Sequence, residues 1–222
     1  MAVGVPTSDF KAYFERKELN GYPYSVNTFE GRSGNEIRFE LFLVDEDDVS
    51  EEPVVYGRYF AGESYYRPWL EIHYKETVNF GSRSLSLMEE GLDEGLFKQL
   101  SELLPPASHI MVFYSNYPET EKALSFGVPP PATYIGYLLF QAGCTWFKDW
   151  YFPEGFMEGG VKLQGNKSLD QEHRKKALNK LKSELLQFLH KDKEDSELFL
   201  NAEKRAKEAL DYIEKELQHD VA

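Results

Sequence analysis

The chain has a single cysteine, Cys144. One thiol makes no intrachain disulfide, so the fold must rest on its hydrophobic core, and a lone cysteine fits a reducing cytosol. No apolar run approaches the ~20 residues of a membrane-spanning helix. The opening stretch, MAVGVPTSDFKAYFERK, has no secretory hydrophobic segment. Together these absences predict a cytoplasmic protein. Basic residues are in the minority, 25 Lys and Arg against 38 Asp and Glu, for a net charge of −13. Such a surface repels a phosphate backbone. No strong basic patch lies outside the C-terminal helical region, which argues against general nucleic-acid binding. Metal-ligand spacing is missing as well, since His173, His190 and His219 are scattered through a charged segment. There is no phosphate-binding loop, no internal repeat and no low-complexity tract.

What remains is rich in core material. Hydrophobic residues make up 41% of the chain and aromatic ones 15%, ample for a packed interior. A length of 222 residues leaves room for one sizeable domain and an appendage. The composition changes near Ser168, so the expected division is a main domain over 1–166 and a helical hairpin over 167–222.

Periodicity supplies the elements. Residues 7–19 read as a short amphipathic helix with Phe10, Tyr13 and Phe14 on one face, ended by Asn20-Gly21. Turn chemistry at Gly31-Arg32-Ser33-Gly34 separates two strand-like runs, Tyr24–Glu30 and Asn35–Val44. In the second, Ile37, Phe39, Leu41 and Leu43 alternate against Arg38, Glu40 and Phe42. The acidic stretch Asp45–Pro53 offers hard oxygen ligands but not the spacing of a calcium loop. A solvated hairpin tip that blocks edge pairing is the plainer reading. Val54–Phe60 and Trp69–Lys75 follow as strands, the latter with Leu70, Ile72 and Tyr74 opposed to Trp69, Glu71 and His73.

From Leu85 the apolar positions Leu85, Met88, Leu92, Leu96, Leu100 and Leu103 step by three and four. That spacing predicts one helix, opened by a Ser86/Glu89 capping box and stopped by Pro105-Pro106. His109–Tyr114 is nearly continuous in apolar character, which predicts a strand buried on both faces. A short helix ends near Gly127, Val128–Pro131 is irregular, and Ala132–Ala142 is a helix closed by Gly143. Cys144–Phe152 and Phe156–Leu163 are expected to form an aromatic hairpin. Ser168 and Gln171 predict a capped helix with a stripe of Leu178, Leu181, Leu185, Phe188 and Leu189. Leu198, Ala202, Ala206, Leu210, Ile213 and Leu217 predict a second. The fold class is therefore mixed α/β (α+β): a mostly antiparallel sheet flanked by helices, with a C-terminal helical hairpin.

Two local segments carry a family likeness. The first is Asn79-Phe80-Gly81-Ser82-Arg83-Ser84, a small, polar stretch before the expected central helix. The second runs from Ala132 through Tyr134 and Tyr137 to Gly143 and Cys144. In this order of elements the chain resembles the GNAT acyl-CoA N-acyltransferase superfamily over residues 20–165. It also resembles an uncharacterised archaeal family associated with that superfamily. The resemblance implies coenzyme A or acetyl-CoA as cofactor, its pyrophosphate held by Gly81, Ser82, Arg83 and Ser84 at a helix N-terminus. It implies transfer of an acyl group to a small-molecule or peptide amine in a groove between splayed strands. Glu71 or His73, two apart on one strand face, would be the base or its orienter, and Tyr134 or Tyr137 the acid toward the leaving thiolate. The match departs from the superfamily at two places. The loop holds one glycine where the pattern Q/R-x-x-G-x-G/A has more, and Leu139 stands where the acid Tyr is expected.

Those departures support a second expectation, a non-catalytic interaction or scaffold protein without cofactor binding. Its partner surfaces would be the aromatic hairpin Trp146–Phe156 and the C-terminal helices, either of which could join a homodimer.

Overall fold

The structure is a computed structural model. It describes residues 6–219 apart from 15–17, 20, 32–33, 45–48, 51, 64–65, 75–76, 81–82, 89–90, 114–117, 153–159 and 193–195. In chain order the elements are α1 (Thr7–Phe14), β1 (Glu18–Leu19), β2 (Tyr22–Glu30), β3 (Glu36–Leu43), β4 (Val55–Phe60) and β5 (Trp69–Tyr74). A small hairpin follows, β6 (Thr77–Phe80) and β7 (Arg83–Ser86), then α2 (Leu92–Glu102) and β8 (His109–Phe113). The chain continues through α3 (Pro118–Ser125), a single 3-10 turn at Pro130–Ala132, α4 (Tyr134–Gln141), β9 (Cys144–Phe152) and β10 (Gly160–Lys167). Two long helices, α5 (Gln171–His190) and α6 (Glu197–His219), complete it.

Eight strands form one sheet in the order β1-β2-β3-β4-β5-β8-β10-β9. All neighbours are antiparallel except β5 and β8, whose parallel pairing runs from Trp69 opposite His109 to His73 opposite Phe113. A parallel pair needs a crossover, and the β6–β7 hairpin and α2 supply it. The expected mixed, mostly antiparallel sheet with a C-terminal helical hairpin is the architecture observed.

The alternation in β3 decides which way the sheet faces. Ile37, Phe39, Leu41 and Leu43 are buried, as are Val55 and Tyr59, Leu70 and Ile72, Ile110 and Val112, and Leu163. These side chains share one core with Phe10 of α1, Leu92, Leu96, Phe97 and Leu100 of α2, and Ile135, Leu138 and Leu139 of α4. A second core lies on the outer side of α4. There Phe140, Ala123 and Val128 meet Leu178, Leu181, Leu185 and Phe188 of α5 and Ala202, Ala206, Ala209 and Ile213 of α6. The apolar stripes of the C-terminal helices are therefore used within the chain. Arg174 to Glu216 at 2.9 Å joins α5 to α6, and Arg205 to Glu119 at 2.7 Å ties α6 down on α3.

Several sequence expectations change. The helix expected over 7–19 ends at Phe14, and Glu18–Leu19 is a strand paired with β2. The stripe from Leu85 does not form one helix. Ser86 ends β7, so the Ser86/Glu89 capping box does not open a helix, and Glu89 itself lies outside the described residues. The helix starts only after Gly91, which takes a left-handed conformation at φ 63. At the C-terminal helices, the Ser168/Gln171 box gives way to Asp170, whose carboxylate accepts from the His173 backbone N–H at 2.9 Å. Finally, β8 is not buried on both faces. Ile110 and Val112 are buried, but His109, Met111 and Phe113 are half-buried, because among the described residues no helix packs on their side.

Candidate functional site

The sheet face away from the two cores holds the most organised polar chemistry among the described residues. Strand register sets its side chains in rows. Glu40, Tyr56, His73 and Phe113 stand side by side across β3, β4, β5 and β8. The next row is Arg38, Arg58, Glu71, Met111, Gln164 and Lys148, reaching β10 and β9. The third is Glu36, Phe60, Trp69, His109, Asn166 and Trp146. Directly opposed side chains in neighbouring strands stand within contact distance, so a row behaves as a unit.

The centre of the face is an ion pair. Glu71 is 7% exposed and accepts from Arg58 with both oxygens: Nη2 lies 2.9 Å from Oε1 and 3.0 Å from Oε2, and Nε lies 3.1 Å from Oε1. This fork geometry satisfies a carboxylate on a half-covered surface. Glu36 adds a longer contact to Arg58 at 4.0 Å. The guanidinium also sits 5.5 Å from the centroid of the Trp69 ring. His73 approaches Glu71 with Nε2 at 3.4 Å from Oε1. Its ring is stacked between Tyr56, at 4.8 Å, and Phe113, at 4.1 Å, each with an interplanar angle of 11°. Glu71 and His73 were predicted from their shared strand face. Arg58, Tyr56 and Phe113 were not. Alternation in β4 places Tyr56, Arg58 and Phe60 on its polar side, but only the sheet register shows what stands beside them.

The other candidate residues do not join this cluster. Tyr134 and Tyr137 belong to α4, on the opposite side of the sheet. Tyr134 is 8% exposed, with the Arg205 guanidinium 5.1 Å from its ring centroid. Burial, and then the nearby Glu208 carboxylate, push the Tyr137 phenol up to about 12. Of the expected cofactor-binding residues, Gly81 and Ser82 lie outside the described residues. Arg83 and Ser84 are strand residues in β7, paired with Phe80 and Asn79 of β6. A hairpin of two strands thus stands where a loop was expected to run straight into a helix. Cys144 is fully buried, and burial pushes its thiol up to about 12, so it stays protonated. Among the described residues no group of three or more His, Cys, Asp and Glu is placed to hold a metal ion. No helix among them is long and apolar enough to cross a membrane.

The fold and this face define a class: a mixed α+β protein with its helices gathered on one face of the sheet and an aromatic, charged platform on the other. More particularly, the chain belongs to the family described as Protein of unknown function (DUF1122), which matches residues 22–192. It is also similar to the solved crystal structure of a protein of unknown function, AQ1966 from Aquifex aeolicus VF5. The two share 30% identity over 91% of this chain and 99% of that one, with a TM-score of 0.65. No curated protein matches.

These findings overturn the GNAT resemblance. The family and the structural relative are both of unknown function, and neither points to an acyl-CoA N-acyltransferase. The geometry agrees, since the strands expected to splay around a cofactor, β5 and β8, pair along five consecutive positions, and Tyr134 and Tyr137 are on the wrong side to meet Glu71 or His73.

Proposed function

We propose that this protein is an interaction protein that works as a homodimer, joined through the uncovered face of its central sheet. The observation that carries the reading is the set of three cross-strand rows with Arg58 and Glu71 pinned at their centre. Tyr56 is 37% exposed and Trp146 is 49% exposed, so the platform presents large aromatic area to its surroundings. Aromatic residues and arginine are the side chains that anchor interfaces. Glu71, the group expected to act as a base, has both oxygens engaged by Arg58, which fits a structural role better than proton transfer.

A second copy suits this face because the face complements itself. Glu36 and Glu40 outnumber Arg38 on the β3 side, while Lys148 lies on the β9 side beside Gln164 and Asn166 of β10. A two-fold axis parallel to the strands would lay β3 of each copy over β9 and β10 of the other, with Glu36 and Glu40 in the rows on either side of Lys148. Six strands at ~4.8 Å span roughly 25 Å, the breadth of a standard interface of about 800 Å² per partner. Two such sheets would pack about 10 Å apart, as in a sandwich.

Sedimentation velocity across a concentration series tests this. The expected result is a dimer at micromolar concentration. Tyr56→Asp and Trp146→Asp, each placing a charge on the face at a different row, should both shift the chain to monomer with unchanged far-ultraviolet circular dichroism. A wild-type chain that stays monomeric, or a dimer that survives both substitutions, refutes the proposal.

A further inference from the structure

The helical side holds a separate feature. A cleft of about 610 Å³ opens between α2, α4 and α6. That volume is in the range of small-molecule sites. Gly95 lines it on α2, and the missing side chain leaves the wall recessed. Two carboxylates reach the cleft from different helices, Glu94 from α2 and Glu208 from α6. Tyr137 of α4 lines the cleft together with Glu208. The apolar part is aromatic. Phe140 and Tyr212 meet edge to face, with centroids 5.3 Å apart and planes at 82°. Arg174 donates to the Tyr212 hydroxyl at 3.1 Å and steadies that ring.

We propose that this cleft binds a small organic cation, with an ammonium group held by Glu94 and Glu208 and an apolar body against Phe140 and Tyr212. The sign of the ligand follows from the charges. Among the described lining residues Lys98 is the sole cation against two carboxylates, and the whole chain is at −13. The resulting potential concentrates cations at its surface. The organic character follows from the walls. Aromatic faces attract ammonium groups and shelter hydrocarbon, whereas a divalent metal ion demands a shell of oxygens that these walls do not offer. The site stands on the helices and does not depend on how the opposite sheet face is used.

Calorimetry on the full chain with 2-phenylethylammonium as probe tests it, with 2-phenylethanol as the uncharged control of the same shape. The ammonium is expected to bind saturably, and the alcohol about tenfold more weakly or worse. Glu208→Gln should weaken the ammonium by about tenfold, because one charge-assisted contact is lost. Gly95→Leu should abolish binding by filling the recess, and the helix gains propensity from the change, so the fold is retained. Equal binding of ammonium and alcohol, binding that survives Gly95→Leu, or no saturation up to ~10 mM overturns the proposal.

Discussion

Asp93 is the place where burial and charge conflict most openly. It lies in the first turn of α2 and is 1% exposed. One carboxylate oxygen, Oδ1, accepts from the Glu94 backbone N–H at 2.8 Å. The other, Oδ2, is buried with no hydrogen-bond partner. Burial raises the carboxyl from its ordinary 3.8 to about 6, while the Glu94 N–H pulls more weakly the other way. A group whose folded pKa lies above its unfolded one helps stability fully at acid pH and loses that help as pH rises. For Asp93 the loss runs from about 4 through about 6. Two units at 1.36 kcal/mol each make the ionised carboxylate a burden of about 3 kcal/mol above neutrality. Asp93→Asn keeps the shape and the bond from Glu94 but cannot ionise. Its amide leaves its own polar atoms poorly satisfied, which adds an offset independent of pH, so only the slope is diagnostic. Urea unfolding of both proteins between about pH 4 and pH 8 should show the variant gaining about 2 kcal/mol on the wild type across that range. A difference that stays flat, or that shrinks as pH rises, refutes the reasoning about this carboxyl.

Two more substitutions probe the frame that carries the platform and the cleft. Gly57→Ala in β4 would place a Cβ 2.0 Å from the Glu71 backbone oxygen and 3.0 Å from the Phe39 ring. β4 and β5 must then part, at a cost of about 3 kcal/mol or more, read as a fall in the denaturation midpoint. An unchanged midpoint would mean that the two strands are less tightly paired than their register implies. Lys167→Met removes an ammonium that donates to Ser101 O at 2.7 Å and Leu104 O at 3.0 Å, at the carboxyl end of α2. Two carbonyls lose a cationic partner, and the expected loss is about 2 kcal/mol of unfolding free energy, with faster amide exchange in the last turn of α2. Protection equal to wild type there would show that the lysine does not cap the helix.

Much of the secondary structure was written locally. The two-residue alternation of Ile37, Phe39, Leu41 and Leu43 marks a half-covered strand, and those four residues are between 0% and 4% exposed. The stripes of α5 and α6 read as helices because three-and-four spacing leaves little else. The error at Leu85 has an equally local cause. Leu85, Met88 and Leu92 fit a helical stripe, but Ser84-Leu85-Ser86-Leu87 alternates as a strand, and Leu85 and Leu87 are buried that way. Two periods overlapped, and the tertiary fold chose the shorter by turning the chain at Gly91.

The platform was half visible. Strand alternation alone puts Glu71 and His73 on one face, and no local pattern could add Arg58 or Phe113, which come from strands elsewhere in the chain. Residue order determined which side chains each strand offers to each of its faces, because the pleat sends neighbours to opposite sides. The tertiary structure decided which strands lie side by side, that β5 and β8 run parallel, and that among the described residues one face is covered while the other is not. Those choices depend on where helices far along the chain find apolar area to cover, and a contact between distant segments leaves no mark in the spacing of either one.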